Sequence, residues 1–113
     1  MIAQLMGLRV VSPADLSRMI ERGEADVFDV NAPQRWRDAR VPGARNLDPT
    51  QFEPASLPAD KARPLVFYCS GPLCRKAPNA AVRAKKLGHS DVRVLSAGIS
   101  GWLSAGLPTE SGD

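Results

Sequence analysis

Three short apolar runs constrain this chain more than any other feature: Val27-Phe28-Asp29-Val30, Leu65-Val66-Phe67-Tyr68 and Val92-Arg93-Val94-Leu95. Each is followed by a stretch that can form a helix. Runs this short and this apolar suit strands buried on both faces, and their alternation with helices builds a parallel sheet covered on both sides. The expected class is α/β. In such sheets a ligand site lies beyond the carboxyl ends of the strands.

The second run ends at Cys69-Ser70-Gly71-Pro72-Leu73-Cys74-Arg75-Lys76, and a helix is expected from about Pro78 to Leu87. A thiol at the end of a buried strand, in a loop entering a helix, sits where backbone N–H groups converge. That setting favours a thiolate and any anion it reacts with. Cys69 therefore reads as a nucleophile. The blander reading is an inert buried thiol, since free cysteine is among the most buried residue types.

The chain has 113 residues, enough for one ordinary core, and is read as a single domain over residues 1–113 with its core at about 8–108. Its hydrophobic content of 43% and charged content of 24% are those of a globular protein. A net charge of +3 suits a small anionic substrate and is too sparse for nucleic acid. No stretch is long enough to span a membrane, and no membrane partner is expected. The start, Met1 to Arg9, has no basic leader and its apolar run is broken by Gln4, so no signal peptide is read. A cytoplasmic setting follows, where thiols stay reduced and two close cysteines are reactive rather than a structural staple. Two cysteines and the lone His89 make too few ligands for a metal, and no cofactor is expected.

Elsewhere the punctuation is clear. Ser12 caps a first helix with Pro13 in its first turn and Asp15 three residues on, Leu16, Met19 and Ile20 form its apolar face, and Gly23 ends it. Asn31-Ala32-Pro33 starts a helix carrying Trp36. Val41-Pro42-Gly43-Ala44 turns into an extended piece, Arg45-Asn46-Leu47. Residues 48–63 read as a loop with one helical turn. Ser96-Ala97-Gly98-Ile99 turns into a last short helix with Trp102 and Leu103, and residues 109–113 read as a frayed tail.

In order and spacing, Val27 to Val30, Arg40-Val41-Pro42-Gly43-Ala44-Arg45-Asn46, Val66-Phe67-Tyr68-Cys69, and the ending Leu87-Gly88 through Val92, Leu95, Ala97-Gly98-Ile99 and Trp102 resemble the rhodanese-like domain. The resemblance covers about residues 8 to 108. It implies a five-stranded parallel sheet with helices on both faces. It also implies a sulfurtransferase in which Cys69 takes a sulfane sulfur from a small anionic donor such as thiosulfate. The resulting persulfide passes its sulfur to a thiophilic acceptor: cyanide, a thiol or a protein thiol. Ser70, Gly71, Pro72, Leu73, Cys74 and Arg75 would then form the substrate-binding loop. The chain departs from the commonest family pattern at Asn31 and Arg40, where an arginine and a histidine are usual. Its longer loop resembles a subgroup with Cys-x-Gly-Pro-x-Cys.

Two other functions stay open. Cys69 and Arg75 have the spacing of rhodanese-fold phosphatases and arsenate reductases, and a non-catalytic regulatory or binding module needs no reactive thiol at all. Cys74 is either a resolving thiol that bonds to Cys69 or a loop residue without chemistry. Arg75 and Lys76 read as an anion clamp, or as the start of the solvated basic run through Arg83, Lys85 and Lys86. His89 is placed too far away to pair with Cys69. Asp29 is assigned a structural hydrogen bond before a general-acid role, and Trp36 and Trp102 are assigned to packing.

Overall fold

A computed structural model describes residues 2–113. Five parallel strands form one sheet: β1 (Arg9–Val10), β2 (Asp26–Asp29), β3 (Arg45–Asn46), β4 (Leu65–Tyr68) and β5 (Val92–Val94), in the order β1-β5-β4-β2-β3. The helices are α1 (Ile2–Leu5), α2 (Pro13–Glu21), α3 (Pro33–Asp38), α4 (Lys76–Lys86) and α5 (Gly98–Ser104), with a single 3-10 turn at Pro54–Ser56.

The central strand β4 divides the core. Successive strand side chains point to opposite faces. Leu65, Phe67 and Cys69 join one buried cluster with Phe28, Val92 and the alanines of α4, while Val66 and Tyr68 join another with Val27, Leu16, Leu95 and Trp102. Ala77, Ala80, Ala81 and Ala84 give α4 a shallow inner face, so the helix lies close against the sheet. Phe28 and Phe67 stack beneath it with ring centroids 5.3 Å apart. On the opposite face Trp102 is buried and its indole N–H donates to the Pro108 carbonyl at 2.8 Å.

Local signals explain the boundaries. The Ser12 hydroxyl accepts from the Asp15 amide at 3.1 Å and Pro13 opens α2. The helix stops where Gly23 turns to φ +65°, a conformation that costs glycine little. α4 begins at Lys76, two residues before the expected start, because Pro78 needs no amide hydrogen-bond acceptor within the first turn.

One expectation is corrected. Residues 109–113 are not frayed. Arg40 and Glu110 exchange backbone hydrogen bonds of 2.9 Å each way, the Gly112 amide donates to the Arg37 carbonyl at 2.8 Å, and the Arg37 and Asp113 side chains pair at 2.9 Å. Arg40 explains the docking. Its guanidinium lies 4.0 Å from the centroid of the Trp36 ring and donates to the Gly112 carbonyl at 2.6 Å. No described helix is long and apolar enough to cross a membrane.

Candidate active site

Cys69 follows β4 directly and is 2% exposed. The chain after it is shaped by α5. The Ile99 amide donates to the Cys69 carbonyl at 3.0 Å and the Ser100 amide to the Ser70 carbonyl at 3.1 Å. In a trans peptide the C=O and the next N–H point in opposite directions. Both bonds therefore turn the N–H groups of Ser70 and Gly71 away from α5, and among the described residues neither has an acceptor.

Gly98 makes this approach possible. It holds φ +64°, and a Cβ there would lie 2.6 Å from Gly71 N and from the Ser70 carbonyl carbon. No side chain fits between α5 and the cysteine loop. The loop then closes on itself: the Cys74 amide donates to the Gly71 carbonyl at 3.2 Å, across a turn with Pro72 in its second position.

That turn brings Cys74 back onto Cys69. The two residues are joined as a disulfide, with Cα atoms 6.4 Å apart. Cys74 stands between the buried sulfur and the outside. It lines an inner cavity of about 10 Å³ together with Cys69, and also two open clefts of about 370 and 540 Å³ that Cys69 does not line. The inner cavity holds no more than one water-sized group. Ser96 lines it too, 8% exposed, and its hydroxyl has no hydrogen-bond partner among the described residues.

The clefts bring together Ser70, Gly71, Pro72, Leu73 and Cys74 as the sequence suggested, and add Ile99, Ser100 and Leu103 from α5. Leu73, at the loop tip, is 87% exposed. The basic residues at the clefts are Arg35 from α3 and Lys76 from the first turn of α4. Arg75 is the exposed N-cap residue of α4 and lines neither cleft. Arg35 had no local signal, because only the packing of α3 beside the loop places it there.

The other singled-out residues lie apart from this chemistry. Asp29 is fully buried. It accepts from the Tyr68 hydroxyl at 2.7 Å and the Asn31 amide at 2.8 Å. Burial raises its pKa above the ordinary carboxylate value, with both hydrogen bonds opposing. Tyr68 in turn accepts from the Val41 amide at 3.0 Å, and burial raises the pKa of its hydroxyl strongly. The indole of Trp36 donates to the Ala44 carbonyl at 2.8 Å. His89 is buried after α4, with neither ring nitrogen partnered among the described residues, and burial lowers its pKa. The described residues contain no group of three His, Cys, Asp or Glu side chains able to hold a metal ion.

Comparison with known proteins agrees with this architecture. The rhodanese-like domain family matches residues 12–105. The HTH-type transcriptional regulator Rv0324 of Mycobacterium tuberculosis is 31% identical over 102 residues, which are 90% of this chain and 45% of the regulator; the chain spans less than half of that relative. The thiosulfate sulfurtransferase of Pseudomonas aeruginosa superposes with a TM-score of 0.81 at 27% identity, over 93% of this chain and 20% of that one. The human single-domain sulfurtransferase TSTD1 gives 0.69 at 26% identity, over 84% of this chain and 95% of its own. With the family matched over residues 12–105, the chain belongs to the family of rhodanese-like domains.

Proposed function

We propose that this protein moves a sulfane sulfur from a small anionic donor to a thiophilic acceptor through a persulfide on Cys69. The observation that carries this reading is the backbone of the cysteine loop. Two N–H groups, of Ser70 and Gly71, are turned away from α5 and have no acceptors among the described residues, beside a sulfur at the carboxyl end of the central strand. Such donors favour negative charge on a thiolate and on the oxygens of a sulfonate-like donor. The two sulfurtransferase structures with this fold support the reaction class.

With thiosulfate as donor, the Cys69 thiolate attacks the outer sulfur. The sulfur–sulfur bond of thiosulfate breaks, sulfite leaves with the electron pair, and Cys69 keeps the sulfur as a persulfide. A thiophilic acceptor (cyanide, a thiol or a protein thiol) then takes the outer sulfur and restores the thiolate. Arg35 and Lys76 attract the anionic donor into the cleft. The cycle uses no cofactor and belongs in a compartment that keeps Cys69 reduced, such as the cytoplasm. Thiocyanate formation from thiosulfate and cyanide tests the reading. The reduced protein turns over and Cys69→Ser falls to the uncatalysed background with its thermal midpoint unchanged; activity retained in Cys69→Ser contradicts it.

A phosphatase or arsenate reductase reading pairs Cys69 with Arg75, and Arg75 lines neither cleft at Cys74. The likeness to a transcriptional regulator favours a second reading, in which the domain reports the state of Cys69 within a longer protein. In that case cyanide-dependent turnover is absent while Cys69 still changes its bonding state.

A further inference from the structure

We propose that Cys74 converts sulfur transfer at this site into hydrosulfide release, with the Cys69–Cys74 disulfide as the product and a dithiol as the reductant that reopens it. The inference rests on the sulfurtransferase reading above and adds a second activity to it.

The geometry supplies the reason. The turn at Gly71–Cys74 holds the Cys74 sulfur within bonding reach of the Cys69 sulfur, with the two Cα atoms 6.4 Å apart. An acceptor from outside must come through the clefts that Cys74 itself lines, whereas Cys74 is already at the inner sulfur. Attack within the loop therefore has the advantage of proximity.

The step balances. The Cys74 thiolate attacks Sγ of the Cys69 persulfide, the bond from Sγ to the outer sulfur breaks, and the outer sulfur leaves with the electron pair. It takes up the proton that Cys74 loses and departs as hydrosulfide. The sulfane sulfur is reduced by two electrons, and the two cysteines are oxidised to a disulfide by the same two. A dithiol then reduces the disulfide. The Ser96 hydroxyl, unpartnered among the described residues, lines the small cavity shared by both cysteines.

The closed state follows from the same positions. Once the disulfide forms, the Cys69 sulfur is bonded to Cys74 and the cavity that both line, about 10 Å³, is too small for thiosulfate, so the site accepts no second sulfur until it is reduced. The bond that ends one cycle thus also gates the next.

The test is a single turnover without external thiol. The wild type, Cys74→Ser, Cys74→Ala and Cys69→Ser proteins are reduced, freed of reductant without oxygen and mixed with thiosulfate. Hydrosulfide and intact mass are then followed together. Wild type is expected to release one equivalent of hydrosulfide and lose two hydrogens. Both Cys74 variants are expected to gain one sulfur atom and hold it, and Cys69→Ser to do neither. The wild-type rate should not change on dilution, and dithiothreitol should restore repeated turnover. A wild-type protein that keeps its added sulfur as long as the Cys74 variants overturns the inference and leaves the sulfurtransferase reading standing. So does a release rate that falls with protein concentration, which would mean attack between molecules. Failure of the Cys74 variants to take up sulfur overturns both.

Discussion

Tyr68 and Cys69 are neighbours at the end of one strand and face opposite sides of the sheet, and their surroundings differ in what they leave unused. On the Tyr68 side the polar groups form a closed network. The hydroxyl donates to Asp29 and accepts from the Val41 amide, and Asp29 also accepts from the Asn31 amide. On the Cys69 side, the N–H groups of Ser70 and Gly71 and the hydroxyl of Ser96 have no partners among the described residues. A buried carboxylate with a raised pKa draws attention first, yet a closed network has nothing to offer a substrate. Unspent donors beside a sulfur do.

The sharpest way to break this contrast is at the contact that shapes the open side. Gly98→Ala places a Cβ where backbone atoms stand 2.6 Å away, at a positive φ. The loop and α5 must separate. We expect a loss of more than about 2 kcal/mol in denaturant unfolding and sulfur transfer near background.

On the closed side, Tyr68→Phe leaves Asp29 and the Val41 amide each without one partner. The expected cost is about 1–3 kcal/mol. In the folded protein thiocyanate formation should stay near wild type, and a large loss of kcat would move Tyr68 into the reaction.

These contacts also show what a sequence discloses. The strands β2, β4 and β5, the Ser12 cap and the loop after Cys69 rest on neighbours in the chain and were legible. β1 was not, because two exposed residues, Arg9 and Val10, carry no alternating pattern. The tail at 109–113 differs from its expectation for a similar reason: its partners Arg37 and Arg40 lie far back in the chain, and no local signal joins them. At the site, Cys69 and its loop were visible as a strand end followed by a helix. Arg35 was not, since it reaches the cleft only through tertiary packing. Arg75 had the right spacing for a clamp, but as the N-cap residue of α4 it lines neither cleft.

That reassignment gives a smaller effect. Arg35→Ala should raise the KM for thiosulfate about fivefold, the scale of about 1 kcal/mol for an exposed charge, with kcat little changed. Arg75→Ala should change KM less. The reverse order would return the clamp to Arg75.

The smallest expected effect is on pH and concerns His89, buried with both ring nitrogens unpartnered. Its folded pKa lies below the ordinary value of 6.5, because burial and then the charge of Lys61 disfavour the cation. The unfolded chain therefore binds more protons than the folded one as pH falls. Stability is complete above pH 6.5 and declines below it. Denaturant titrations at neutral and mildly acidic pH should show this decline in wild type and a shallower one in His89→Leu. Equal slopes would remove His89 from the account.

The most direct measurement is the location of the sulfur. Reduced Cys74→Ser protein is incubated with thiosulfate, its persulfide trapped by alkylation, and its peptides weighed. The account predicts one added sulfur on the peptide containing Cys69, absent when Cys69 is also replaced by serine. No added sulfur on Cys69 would contradict it.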